Sequence, residues 1–137
     1  IMLKRAAHLG HCNPASIKLL KDLGADSINP IRDLQIPMHA AIRQAAGDTP
    51  LDIHMDNPPG SGGFIRVYEA PEIVRVAAPL HCKTGNSVIG GHGEMTGVTE
   101  GKRMAEQATI VVEMINRFAP ELKQSGKRTK DMCIPAV

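Results

Sequence analysis

The side chains best suited to chemistry fall in three short stretches. Leu51 to Asp56 reads Leu-Asp-Ile-His-Met-Asp, which in an extended strand puts Asp52, His54 and Asp56 on one face and Leu51, Ile53 and Met55 on the other. Leu80 to Lys83 repeats the pattern, with His81 and Lys83 opposite Leu80 and Cys82. Asn29 ends a third apolar run, Ala25 to Asn29. Side by side, the three runs bring these polar groups together. Buried charges are costly unless paired, so the group must be satisfied internally or by a ligand. The internal version is an ion-pair network in which Lys83 meets Asp52 or Asp56 across His54.

Two functional versions use the same residues. A lysine desolvated on a strand end loses proton affinity, and its free amine attacks a carbonyl to form a Schiff base. Lys83 is then the nucleophile, with Asp56 or His54 shuttling protons. Alternatively, Asp52, His54 and Asp56 help hold a divalent metal (Mg, Mn or Zn) that polarises a substrate oxygen. In that version His54 or Asp56 ligates directly and Asp52 supports from behind.

Glycine-rich connections adjoin these runs. Lys83-Thr84-Gly85-Asn86-Ser87, then Gly90-Gly91-His92-Gly93, precedes the longest helical pattern of the chain. Backbone N–H groups of such a loop, together with a helix N-terminus, suit a phosphate or carboxylate; the same glycines also permit tight turns and nothing more. Arg32, directly after the first run, is placed either to clamp an anion bidentately or to form a surface ion pair. Asn57 to Gly63 has the composition of a lid or of a plain connection.

The elements that position these groups follow from apolar periodicity between Gly and Pro punctuation. Asn13-Pro14 caps a helix carrying Ile17, Leu20 and Leu23 and stopped by Gly24. Pro37 opens a second helix, with Ala41, Ile42 and Ala45 on one face and Gly47 as its stop. A third spans Ala70 to Ala77. The last carries Met104, Ala108, Val111, Val112, Ile115 and Phe118 as an apolar stripe and ends before Pro120. Strands and helices alternate at roughly 26 to 29 residues, the repeat of β/α units with parallel strands. Ile1 falls inside what reads as a helical segment, so the chain reads as a fragment or as one product of a split chain.

One-sided polarity distinguishes a barrel from an open sheet. A strand covered on both faces is apolar throughout, whereas a barrel strand turns polar near its C-terminal end. The expected fold is α/β: residues 1–122 as three parallel β/α units from the C-terminal part of a TIM barrel, and 123–137 as a basic and apolar tail. Three units do not close an eight-stranded barrel. A homo-oligomer or a complementary barrel fragment is therefore expected, with Cys133-Ile134-Pro135 as one contact.

The run from Lys83 to Ser87, the Gly90-Gly91 pair and Thr99-Glu100-Gly101-Lys102-Arg103-Met104 resemble deoxyribose-phosphate aldolases. In that family a lysine ending a barrel strand opens a Lys-Thr-Ser-Thr-Gly segment, followed by Gly-Gly and a helix. The resemblance implies Lys83 as the Schiff-base position. Two further strands follow that helix in the family, where this chain has its basic tail. Gly24 to Lys83 is also similar to barrel proteins labelled collagenase-type peptidases, although H-E-x-x-H and G-x-S-x-G are both missing.

Composition narrows the partners. Aromatics at 2% leave few platforms for stacking single-stranded nucleic acid, and a net charge of +2 is too small to point to a polyanion. No apolar run has the roughly 18 residues that a membrane helix needs. The cysteines, Cys12, Cys82 and Cys133, are odd in number and widely spaced, a reduced cytoplasmic pattern. The expectation is an enzyme of lyase or isomerase type acting on a small anionic or phosphorylated carbonyl compound. Its rivals are a metal-dependent barrel hydrolase and a non-catalytic half-barrel.

Overall fold

Each helix starts and stops where its local chemistry dictates. In the computed structural model, which describes residues 2–126, Asn13 Oδ1 accepts the Ser16 N–H at 3.0 Å while Ser16 Oγ accepts the Asn13 N–H at 3.3 Å. This reciprocal cap, with Pro14 in the first turn, opens helix α1 (Pro14–Asp22). Helices α2 (Ile36–Ala46) and α3 (Ala70–Ala77) likewise carry a proline in the first turn, and α4 (Val98–Phe118) closes before Pro120.

Between them run strands β1 (Lys4–Arg5), β2 (Ser27–Ile28), β3 (Leu51–His54) and β4 (Leu80–Lys83). They form one four-stranded sheet in the order β1-β2-β3-β4, and every neighbouring pair is parallel. The three expected strands are thus adjacent, parallel and in sequence order. The first strand is a correction. The stretch after Ile1 reads as helical, yet Lys4 and Arg5 pair with Ser27 and Ile28, and only Ala7–Leu9 forms a short 3-10 turn. The described part therefore holds a fourth β-strand that the apolar pattern does not announce.

All four helices pack on one face of the sheet. Ile17 of α1, Ile42 and Ala46 of α2, Ile73 and Ala77 of α3 and Val111 of α4 join Ile28, Leu51 and Ile53 in a single core, with Met55 just beyond β3. The opposite face carries Ser27, Asp52, His54, His81 and Lys83, so the parity read from the alternation holds. Register places Asp52 beside His81 and His54 beside Lys83.

The stripe on α4 is only half used. Val111 is buried and Met104, Ala108 and Ile115 are partly covered, but Val112 and Phe118 remain 42% and 54% exposed. Residues 127–137, which hold Cys133-Ile134-Pro135 and part of the basic stretch, lie outside the described residues. Among the described residues, no helix is long and apolar enough to cross a membrane.

Candidate active site

The polar face of the sheet is built in tiers that climb toward the C-terminal ends of the strands. In the lowest, Asp52 Oδ2 accepts the Ser27 hydroxyl at 2.5 Å, and its Oδ1 accepts Lys4 Nζ at 2.9 Å and His81 Nδ1 at 3.1 Å. Burial alone would raise this carboxyl. The bonds from Ser27, Lys4 and His81 and the Lys4 charge outweigh that and hold it below the usual carboxylate range. Asp52 is thereby saturated. The expected network pairs Lys83 with Asp52 or Asp56; the structure instead gives Asp52 the ammonium of Lys4, from the strand missing in the sequence reading.

The middle tier holds Asn29, His54 and Lys83. With the Asn29 amide turned so that both ends are satisfied, its nitrogen donates to the carbonyls of Asp52 at 2.8 Å and Pro30 at 3.1 Å. Its oxygen then accepts Lys83 Nζ at 3.1 Å. His54 Nε2 lies 3.4 Å from that same amide atom, and His54 Nδ1 is buried with no hydrogen-bond partner. Burial first, then the charges of Lys83 and Arg32, lower the His54 pKa to about 4, so the ring is neutral near pH 7. Lys83 is also depressed: burial leads, Asp52 opposes, and the cations Lys4 and Arg32 add to the fall. No carboxylate among the described residues forms an ion pair with Lys83. Its one close partner is a neutral amide.

Arg32 stands beside this tier. Its Nη2 donates to His8 Nε2 and to His92 Nε2, both at 3.2 Å, and its buried Nε has no partner. The neighbouring Asp33 faces Arg66 at 3.5 Å. Beneath Arg32, the buried His11 donates from Nε2 to the Asn29 carbonyl at 2.6 Å and fixes that strand end. His8 and His11 were missed because neither lies in a periodic pattern; only the position of Arg5 just ahead of them marks a strand end.

The glycine-rich loop is arranged differently from the expected anion cradle. Ser87 N–H donates to Asp56 Oδ2 at 2.8 Å, and Asn86 Nδ2 reaches Asp56 Oδ1 at 3.4 Å. Gly90 N–H donates to Glu94 Oε2 at 2.9 Å, and Gly97 N–H, at the start of α4, to Glu100 Oε2 at 2.8 Å. The chain's own carboxylates thus occupy these donors. Gly85 has φ +91, and a Cβ there would lie 3.0 Å from Met104 Cβ, so this glycine serves close packing against α4. Gly91 lies beside the same carboxylate: a Cβ there would be 3.6 Å from Glu94 Oε1. The expected lid is fastened as well. Asn57 is fully buried, its N–H donates to Phe64 O at 2.9 Å, and Gly60 N–H donates to Gly90 O at 2.9 Å.

Asp56 accordingly holds a loop, Asp52 holds three donors, and His54 sits between them. The trio expected to share a metal is thus dispersed over successive tiers. Among the described residues, no three His, Cys, Asp or Glu side chains are grouped to hold a metal ion. Comparison with protein families, with curated proteins and with solved structures finds no match to this chain. The site itself must carry the functional argument.

Proposed function

We propose that the chain is a sector of a β/α barrel, and that its polar face binds a small anionic carbonyl compound and condenses it with Lys83. The observation that carries this reading is the setting of Lys83: a lysine of lowered proton affinity, held by the Asn29 amide oxygen and unpaired with any carboxylate among the described residues. Helices on a single face and polar groups near the strand ends support the barrel sector, whose interior is the usual site of chemistry.

The step is a simple condensation. The neutral Nζ donates its lone pair to the carbonyl carbon, the C=O π pair passes to oxygen, and that oxygen takes a proton. The nitrogen loses one proton to give a neutral carbinolamine, its hydroxyl takes a second proton from solvent and departs as water, and a protonated C=N bond remains, an electron sink for cleavage or isomerisation at the neighbouring carbon. Asn29 orients Nζ. Arg32, whose Nη2 donates to the rings of His8 and His92, offers its guanidinium to a carboxylate or phosphate of the substrate. The Asp52 tier below is a structural support, and a metal-dependent hydrolase is disfavoured by the dispersal of Asp52, His54 and Asp56.

The test is borohydride trapping with glyoxylate, and with acetone as a neutral control, followed by peptide mapping. A reduced adduct is expected at Lys83, absent in Lys83→Arg, and the preference for the anionic probe should be lost in Arg32→Ala. Labelling spread over exposed lysines such as Lys18 and Lys102, with none at Lys83, would overturn the reading.

A further inference from the structure

A cavity of about 690 Å³ lies away from Lys83, along the outer edge of β4. Its walls are Val74 of α3 and Ala78 just after it, Leu80 and Cys82 of β4, Val112 and Ile115 of α4, and the segment after α4 from Leu122 to Gly126. Val112 and Ile115 of α4 thus face the outer edge of β4 across this groove, while Val111 stays in the core. The backbone supports the same picture. Leu51 N–H donates to Pro79 O and Met55 N–H to Lys83 O, so odd-numbered residues of β4 face β3. Residues alternate along a strand, and Leu80 and Cys82 therefore turn their N–H and C=O groups toward the groove. At its upper end the buried Thr84 hydroxyl has no hydrogen-bond partner. Burial in this apolar wall pushes the Cys82 thiol up to about 12.

The opposite edge is complementary. Arg5 O accepts from Asn29 N–H and Leu3 O from Asp26 N–H, so Lys4 turns its backbone outward. Lys4 reaches Asp52 on the polar face, which puts Leu3 on the helix face, where it is 46% exposed. A strand bearing an apolar side chain on its helix side is what the groove lacks.

We propose that β1 of a second copy of this chain fills the groove beside β4, and that the reciprocal contact closes an eight-stranded parallel barrel from two four-stranded sheets. Strand count, direction and layering all agree with this occupant. Two sheets of four parallel strands, each with its helices outside and polar face inside, supply the eight strands of a closed β/α barrel and leave no edge. Leu3 of each copy then enters beneath Val112 and Ile115 of the other, and each copy shields the open side of the other's Lys83 site. The inference rests on the barrel-sector reading, but its readout is mass and is independent of adduct formation at Lys83.

Sedimentation equilibrium of the full chain is expected to give a closed dimer of twice the 14.7 kDa chain mass. Val112→Glu and Leu3→Glu alter exposed positions on opposite edges, and each should yield monomer with unchanged far-ultraviolet circular dichroism. Should Val112→Glu lose helix, Val112→Ser is to be used, with dimer affinity expected to fall at least tenfold. A monomeric wild-type chain would overturn the proposal, as would open-ended polymers. Dissociation by Val112→Glu without dissociation by Leu3→Glu would also overturn it, since the groove would then hold some other segment.

Discussion

At the scale of single residues, the amine of Lys83 is governed by the sign of its neighbours. It keeps a lowered proton affinity because burial and two cations outweigh the more distant Asp52, while its hydrogen-bond partner, Asn29, carries no charge. Asn29→Asp changes that one feature at nearly constant shape. A carboxylate at this distance favours the ammonium, and an opposite charge within about 4–6 Å moves a pKa by about 1–3 units. The pH midpoint of borohydride trapping should rise by that amount, and trapping near neutrality should fall steeply. A profile unmoved by Asn29→Asp would show that Nζ does not sit against this side chain when it reacts. Part of this environment was legible beforehand. Period-two alternation alone assigned Asp52, His54, His81 and Lys83 to one face. Lys4 was hidden because a two-residue strand has no alternation to read, and the Lys4–Asp52 pair that leaves Lys83 without a carboxylate was hidden with it.

At the scale of elements, the lower ends of the strands are locked by a residue without any motif. Arg43 of α2 donates from Nε to Ala77 O at 2.8 Å, from Nη1 to Gly47 O at 2.6 Å and Thr49 O at 2.9 Å, and from Nη2 to Pro79 O at 2.8 Å. One guanidinium thus joins the end of α2, the entry to β3, the end of α3 and the entry to β4. Only its planar fork serves carbonyls in these several directions. Arg43→Lys should cost about 2–3 kcal/mol in chemical denaturation, since bonds to a charged donor are each worth about 1.5–3 kcal/mol and some carbonyls would be left unserved. A loss below about 0.5 kcal/mol would mean that water replaces the fork. Helices were the most legible elements, because proline in the first turn and glycine after the last are local signals. The unused half of the α4 stripe was not, because periodicity marks an apolar face without saying what covers it.

At the scale of the whole molecule, three buried histidines make stability depend on pH in one direction. His11, His39 and His54 are all held below their ordinary pKa of 6.5, with burial the leading cause in each. For His39, the Arg66 charge assists and brings the value to about 4; for His54, Lys83 and Arg32 do the same. Between pH 6.5 and about 4 the unfolded chain therefore takes up protons at His39 and His54 that the folded chain refuses, and His11 acts in the same direction. Stability then falls as pH falls through that window, by at most about 1.4 kcal/mol per pH unit for each group. The carboxyl of Asp52 adds nothing until lower pH, because its ordinary value is already 3.8 and the fold holds it lower still. Urea unfolding at fixed protein concentration should thus show a midpoint that is steady above pH 7 and declines steadily below about 6.5. His39→Gln and His54→Gln should each flatten that decline. If the midpoint stays level down to pH 4.5, the imidazoles are being protonated inside the fold, and the neutral middle tier that leaves Lys83 free to react must be abandoned.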